Sequence, residues 1–466
     1  MAPLINFSGI ASGIDTSSLI KAILERERST RIRPLEDKIT SFKDTNSAYA
    51  KLKALLGELS SAADKFRVVR GGGISKSAST SDETVASATA SNAASPGSYT
   101  LSVSQLAKNA TFSLGSTAGA YASSTTAISA GSAFSDTVGI TIGNPSSPTD
   151  TINVAIDETT TLASFVSDFN SQTTAATASV VNVGTSGSPD YRIVINTSKT
   201  GTSEGAIDVT VGGALSGRGA FNSTSEDSAT DAQFSISGIS GNITRSTNAV
   251  SDVIPGLTFN LKGTGSSTIN VGVNTSQSAG AVQDFVDAYN EVISFISEND
   301  LITEEGGGAN KKNVFGVLAN SSIDENLIAT IRGSFSSSSS SGGLVNTLAD
   351  LGVTTQRDGS LAFNSTTFTA ALSSDPLSSG SILERLGESL AKVDGTIAQF
   401  TRFAGLIDQT TNANARQISD SEDRIGILEQ SLAKQEESLV QRFSRLEALI
   451  GKLNSQQSQL ASLLPR

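Results

Sequence analysis

The sequence predicts a multidomain α+β protein with a paired terminal α-helical coiled-coil leg, a helical or mixed stem and β-rich head domains. Three observations predict it. Apolar residues recur every seventh position near the C-terminus, the first seventy residues carry a helical stripe, and the stretch between them alternates with the period of strands.

The C-terminal seam is the most regular feature. Ile418, Ile425, Leu432, Leu439, Leu446, Leu453 and Leu460 fall seven apart, with Leu428, Leu449 and Leu463 three later and Phe443, Ile450 and Leu464 widening the stripe. A helix from Ser421 to Leu463 is about 65 Å long and cannot bury its own seam. Ser421, Gln435, Arg442 and Gln456 interrupt it with polar groups. That weakens the seam and suits a helix that changes partners or folds late; ordinary coiled-coil dimerisation is the alternative.

At the other end, residues 4–15 read as an irregular arm, and Asp15 or Thr16 as the cap of a helix whose face is Leu19, Ile20, Ile23 and Leu24. Pro34 marks a break or a new first turn. From Leu35 the stripe resumes through Ile39, Phe42, Tyr49, Leu52, Leu56, Leu59, Ala63 and Phe66. The simplest burial sets the two terminal helices against each other, which makes everything between them an excursion from a helical stalk.

Residues 74–98 read as a loop with one strand at most, and Tyr99, Leu101 and Val103 alternate as a half-buried strand does. Residues 107–135 carry little pattern. Beyond them Ile152, Val154 and Ile156, a helical face at Leu162, Phe165, Val166 and Phe169, and three more alternating runs ending at Val211 make a small α+β unit. A second β block runs from Ala232 to Val273, turning at Pro255-Gly256. The helical period returns with Val282, Phe285, Val286, Tyr289, Val292, Ile293 and Ile296, then with Ile323, Leu327, Ile328 and Ile331. A helix from Ile382 to Ile407 follows, with Leu383, Leu390, Ile397 and Ala404 in the terminal heptad register and Leu386, Val393, Phe400 and Ile407 three later. Thr411, Asn414 and Ser421 hold that register without apolar groups, so a joint is expected at about 408–420. The implied division is 1–42 with 412–466 as leg, 43–105 with 277–411 as stem, and 106–276 as head. The head contains an inserted α+β unit at 136–215 and a second β unit at 232–276.

Composition excludes several functions. Net charge is −12 and no basic block exists, so nucleic acid is not an expected partner. The chain has no cysteine, histidine or tryptophan, which removes disulfides and the usual transition-metal ligands. No run is long and apolar enough for membrane insertion, and the N-terminus lacks the pattern of a cleaved signal peptide, so any export would have to use another route. Gly201-Thr202-Ser203-Glu204-Gly205 satisfies G-x-S-x-G, but without histidine Ser203 lacks its usual base. Ser-x-x-Lys at Ser18–Lys21, Ser389–Lys392 and Ser431–Lys434 lies on amphipathic helices, where the lysine is solvated and protonated. No catalytic, metal or cofactor site is expected, and the protein is read as a non-enzyme.

Several stretches, in order along nearly the whole chain, resemble the bacterial flagellar filament-capping proteins, the hook-associated protein 2 family. They are GIASGIDTSSLIKAILERER at 9–28, PGSYTLSVSQLAKNAT at 96–111, STNAVSDVIPGLTFNLKG at 246–263, VQDFVDAYNEVISFI at 282–296, LADLGVTTQRDGSLAFN at 348–364 and the terminal run from Arg424 to Leu464. The segment 160–182 is similar to an insert shared by axial flagellar proteins, whereas 112–150 matches nothing recognisable. The resemblance implies an extracellular, non-enzymatic cap at the flagellar tip, exported through the flagellar type III channel. It implies a ring-like homo-oligomer of roughly four to six subunits that retains exported flagellin and promotes its folding and insertion, supporting filament elongation and motility. Implied partners are flagellin, hook–filament junction proteins and a cytoplasmic export chaperone holding the C-terminal helix. The contact residues expected for assembly and chaperone binding are Leu19, Ile20, Ile23, Leu24, Ile418, Ile425, Leu428, Leu432, Leu439, Phe443, Leu446, Leu449, Leu453 and Leu460. Other readings are a flagellin or junction protein, which the GIASGID and VIPGLTFNL segments disfavour, and a surface adhesin with a cell-adhesion head.

Overall fold

The computed structural model describes residue 13 and residues 15–116, 119–218, 221–305, 312–319, 323–336 and 343–463. Most of the expected N-terminal arm, the Gly-rich loop at 306–308 and most of the serine run 336–341 lie outside them. The described helices are α1 (Thr16–Arg31), α2 (Arg33–Asp64), α3 (Leu162–Gln172), α4 (Gly213–Ser216), α5 (Thr275–Asn299), α6 (Ile323–Phe335), α7 (Ser365–Ser374), α8 (Pro376–Ala391), α9 (Thr396–Thr401) and α10 (Leu406–Leu463). The chain forms two compact units, one from Met1–Val69 with Ser278–Arg466, the other from Arg70–Gln277.

In the helical unit, α2 is the central element. Tyr49, Leu52, Leu55, Leu56, Leu59, Ala62 and Ala63 are buried on it, a band wider than one seam because α2 packs against both α8 and α10. Ile32 joins α1 to α2 in a helical backbone conformation and is fully buried. Pro34 therefore sits in the first turn of α2, where its missing N–H is no loss. Phe66 meets Phe285 of α5 edge to face, with ring centroids 6.1 Å apart, and Phe335 of α6 meets both Phe285 and Tyr289. All seven apolar residues expected on the face of α5 are buried.

The helix expected from 382 to 407 is instead three helices. Turns at Lys392–Gly395 and Arg402–Gly405 separate α8, α9 and α10. Each turn is closed by a hydrogen bond from the glycine N–H to a carbonyl three residues back, at 2.8 Å from Lys392 and 2.8 Å from Arg402. A Cβ on Gly395 or Gly405 would lie within 3 Å of backbone carbonyl oxygens, so the close turns require glycine. Val393, expected in the seam, is 86% exposed at the first turn, and Ala404 takes a left-handed φ of 57° in the second. Leu383, Leu386, Leu390, Ile397, Phe400 and Ile407 are buried as expected. The breaks thus precede the expected joint, and α10 runs unbroken through 408–420.

The hairpin Val353–Thr355/Leu361–Phe363 is fastened to α5 by one side chain. Asn290 donates through Nδ2 to the Leu361 carbonyl at 2.9 Å and accepts from the Leu361 N–H at 2.7 Å, as a neighbouring strand would. The Tyr289 hydroxyl donates to the Gly359 carbonyl at 3.1 Å.

In the β unit, a five-stranded antiparallel sheet has the order Lys76–Thr80, Gly265–Val273, Gly97–Gln105, Ala232–Ile236, Ile243–Arg245. It shares a core with the three-stranded sheet of Ala249–Ile254, Leu257–Leu261 and Ala86–Ala90, where Phe234 and Phe259 meet edge to face at 5.5 Å. Pro255-Gly256 makes the expected two-residue turn; Gly256 has φ +78°, and a Cβ there would lie 2.5 Å from the Ala94 nitrogen. A second core joins the four-stranded sheet Asn222–Asp227, Thr111–Gly115, Tyr191–Thr197, Ala176–Asn182 to the three-stranded sheet Ser147–Asp157, Ser135–Asn144, Ile207–Val211, with α3 packed alongside. Thr161 caps α3 in a reciprocal box with Ser164.

Residues 70–105, grouped with the stem from sequence, lie in this β unit because their strands pair far along the chain, Lys76 opposite Val273 and Tyr99 opposite Ile269. Two strands, not one at most, occupy 74–98. The stretch 107–135, which carries little pattern, contributes the strand Thr111–Gly115 and the buried Tyr121 and Ile128. Replacing Asn290 by Ala leaves the Leu361 N–H and carbonyl unpaired and is expected to destabilise the helical unit by about 1–3 kcal/mol, read from the urea midpoint at unchanged slope.

Candidate functional site

The G-x-S-x-G stretch forms a clasp inside the β unit. Gly201 has φ +87°, and a Cβ there would lie 2.5 Å from the Ser246 side chain. Thr202 donates through its N–H and hydroxyl to the two Asp231 oxygens, at 2.8 and 2.7 Å, and Lys199 pairs with Glu204. This is a turn between the strands 191–197 and 207–211, without the strand-to-helix geometry of a nucleophile elbow. Among the described residues no group of acidic side chains is arranged to hold a metal ion, and no helix is long and apolar enough to cross a membrane.

The terminal helices offer a different kind of site. Asp15 caps α1: Oδ1 accepts from the Ser17 and Ser18 N–H groups at 3.2 and 3.1 Å, and Oδ2 accepts from the Ser18 hydroxyl. These bonds, the Ser18 hydroxyl first, hold the Asp15 carboxyl down at about 2. Helix α10 then runs antiparallel to α2 and α1. Lys53 pairs with Asp408 at 2.5 Å, Asn414 donates to Asn46 at 2.9 Å, Lys43 meets Glu422 at 3.5 Å and Arg28 meets Glu429 at 2.6 Å, so numbers fall along one partner as they rise along the other. These ion pairs are partly or wholly solvated and add little stability beyond fixing alignment.

Between α1 and α10 lies a cleft of about 600 Å³ with Ala22, Leu24, Leu432 and Ala433 in its lining. Lys21, Glu25, Arg28, Glu429 and Glu436 rim it. Ile20 is buried, Ile23 and Leu24 are half-buried, and Leu19 is exposed. On α10, Ile418, Ile425, Leu428, Leu432, Leu439 and Phe443 are half-buried, whereas Leu446, Leu449, Leu453 and Leu460 are exposed. Antiparallel pairing explains the difference. Thr16 begins α1 twelve residues before Arg28, which faces Glu429, so α1 starts opposite about residue 441. Past that level roughly 33 Å of α10 has no helical partner among the described residues. The sequence pattern marks the seam but carries no sign of Ala22 and Ala433, which line the cleft. Nor does it mark the exposed Val393 and Phe403 at the two glycine turns.

The family models fit this architecture. That of the flagellar hook-associated protein 2 N-terminus matches residues 12–110, and that of its C-terminus matches residues 229–455. The chain belongs to the flagellar hook-associated protein 2 family. The A-type flagellar hook-associated protein 2 of Pseudomonas aeruginosa is 27% identical over 496 residues, taking in 100% of this chain and 98% of the relative. The flagellar hook-associated protein 2 of Escherichia coli K12 is 26% identical over 475 residues, with 97% and 96% covered. The crystal structure of the D1-D2-D3 domains of the flagellar cap protein FliD from Escherichia coli superposes with a TM-score of 0.58 at 25% identity, covering 79% of this chain and 99% of that one. As a member of this family the chain is a flagellar filament cap protein, and the family is structural.

Two outcomes follow from this geometry. The double variant Leu446→Ser/Leu453→Ser is expected to change stability by no more than about 0.5 kcal/mol, because both side chains already face solvent, whereas Ile20→Ala loses buried contacts and lowers the melting temperature. The Lys53 ammonium beside Asp408 holds that carboxyl below its ordinary range. Its contribution is complete above the unfolded value of about 3.9 and disappears as pH falls through the lowered folded value. Asp408→Asn should therefore flatten the loss of stability as pH falls below about 3.9, as followed by helical circular dichroism.

Proposed function

We propose that this cap protein works as a ring-like homo-oligomer, a plate at the distal tip of the filament, with its terminal helices directed to the filament. The observation that carries this reading is the run of exposed leucines at 446, 449, 453 and 460 on a helix whose upstream half is already paired. A seam that the chain's described residues leave half-covered is suited to helices of other subunits. In this reading Leu19, Ile23 and Leu24, with the seam from Ile418 to Leu460, meet flagellin and hook–filament junction proteins. Exported flagellin is retained beneath the plate, where it folds and inserts. Before export the same seam is held by a cytoplasmic chaperone. The absence of cysteine leaves the chain free of disulfides that would resist passage in an unfolded state.

Negative-stain electron microscopy of the full-length chain beside a chain ending after Val440 tests the assembly. Closed rings with projections, shortened in the truncated chain, are the expected result. Open-ended filaments, or isolated rods with a knob, would overturn it in favour of a flagellin-like polymer or a stalked monomer.

A further inference from the structure

The seam between α2 and α10 contains a polar layer that the packing around it does not require. Asn414 Nδ2 donates to Asn46 Oδ1 at 2.9 Å, with both side chains half-buried. On one side of this layer Thr411 is half-buried, its hydroxyl spent on the Asp408 carbonyl at 3.1 Å. On the other, Ser421 is 5% exposed with its hydroxyl bonded to the Gln417 carbonyl at 2.7 Å. Apolar groups stand on both sides of the Asn pair: Tyr49, Leu52 and Ile407 toward the stem, and toward the far end of the leg Ile418, half-buried between Asn414 and Ser421, then Ile39, Ile32 and Ile425.

A buried Asn pair most often fixes register and orientation in a coiled coil. Here register is already set. Both helices continue without a break into the stem, where Leu52, Leu56 and Ile407 are buried and Lys53 holds Asp408. Sliding α10 by one heptad would require unpacking that core. What remains for the polar layer is its effect on cohesion. An Asn–Asn contact and two self-bonded hydroxyls replace apolar side chains that would bind the helices together.

We propose that the Asn46–Asn414 layer uncouples the leg from the stem, so that α1, the start of α2 and α10 beyond Ile418 separate as one cooperative unit while the stem stays folded. The helix itself supplies no hinge; the weak point lies between helices. Opening at this layer exposes the whole seam from Ile418 onward while Lys53, Asp408 and the stem keep the stem portions of α2 and α10 together. This inference concerns the isolated chain and holds or fails independently of the capping role.

Hydrogen exchange with mass spectrometry on the full-length chain tests it, using unmodified protein, Asn46→Leu/Asn414→Leu and Asn414→Leu alone. In the unmodified chain, amides of 18–42 and 420–440 should exchange together, at least tenfold faster than those of 50–62 and 384–390. The double leucine variant should slow exchange in the leg tenfold or more, and the single variant, which leaves the Asn46 amide without its partner, should speed it. Equal exchange of leg and stem in unmodified protein would overturn the proposal, and that comparison needs no variant to fold. Unchanged leg exchange in a folded double variant would overturn it as well.

Discussion

An amphipathic helix of fifty-eight residues cannot stand alone in water, and the course of this chain follows from that constraint. α10 must lay its stripe against something, and the surface on offer is the other end of the same polypeptide. Once α10 lies on α2, the two termini are brought together, and the remaining chain must leave and return within the span of one helical bundle. α5 to α9 complete the core around α2. The β unit is made of what lies between Arg70 and Gln277. The Phe66, Phe285, Phe335 and Tyr289 rings gather where the departing and returning segments meet in the helical unit.

The same constraint sets a gradient along the rod. At the stem end α10 packs against α2 and α9 and is held by buried residues such as Ile407. Further out its company is reduced to α1, and the seam side chains are only half-covered. Past the start of α1, the leucines face solvent. Burial of apolar area is the main source of helix cohesion, so local stability falls in the same order. A rod that is firm at its root and loose at its end is a physical consequence of one helix being longer than its partner.

Much of this was legible in sequence, and the failures have identifiable causes. The heptad spacing from Ile418 to Leu460 marked the rod because it is a single local period, and the face of α5 was readable for the same reason. The α8–α9–α10 breaks were hidden because Leu390, Ile397 and Ile407 keep the helical spacing across turns that hang on Gly395 and Gly405. Thr411, Asn414 and Ser421 suggested a joint, yet polar groups end a seam without ending a helix. Ser421 is buried because its hydroxyl finds a carbonyl on its own helix. The strands at 76–80, 86–90 and 111–115 are short and rich in Ser, Ala and Thr, and their partners lie far along the chain. In the leg, the apolar stripe was visible but its coverage was not, since exposure depends on where α1 begins relative to α10.

The β unit opens with Lys76–Thr80 and closes with Gly265–Val273, and these two strands are direct neighbours, with Lys76 opposite Val273. Entry and exit are therefore stitched together by a ladder of backbone hydrogen bonds, which ask nothing of the side chains. Everything between those two strands in the chain is topologically a cassette. Chain can be inserted there without moving the two ends, provided the stitching strands keep their pairing and Gly265–Val273 keeps its other neighbour, Gly97–Gln105. Where the β unit begins and ends in space is thus set by one strand pair, whatever the length of chain between them.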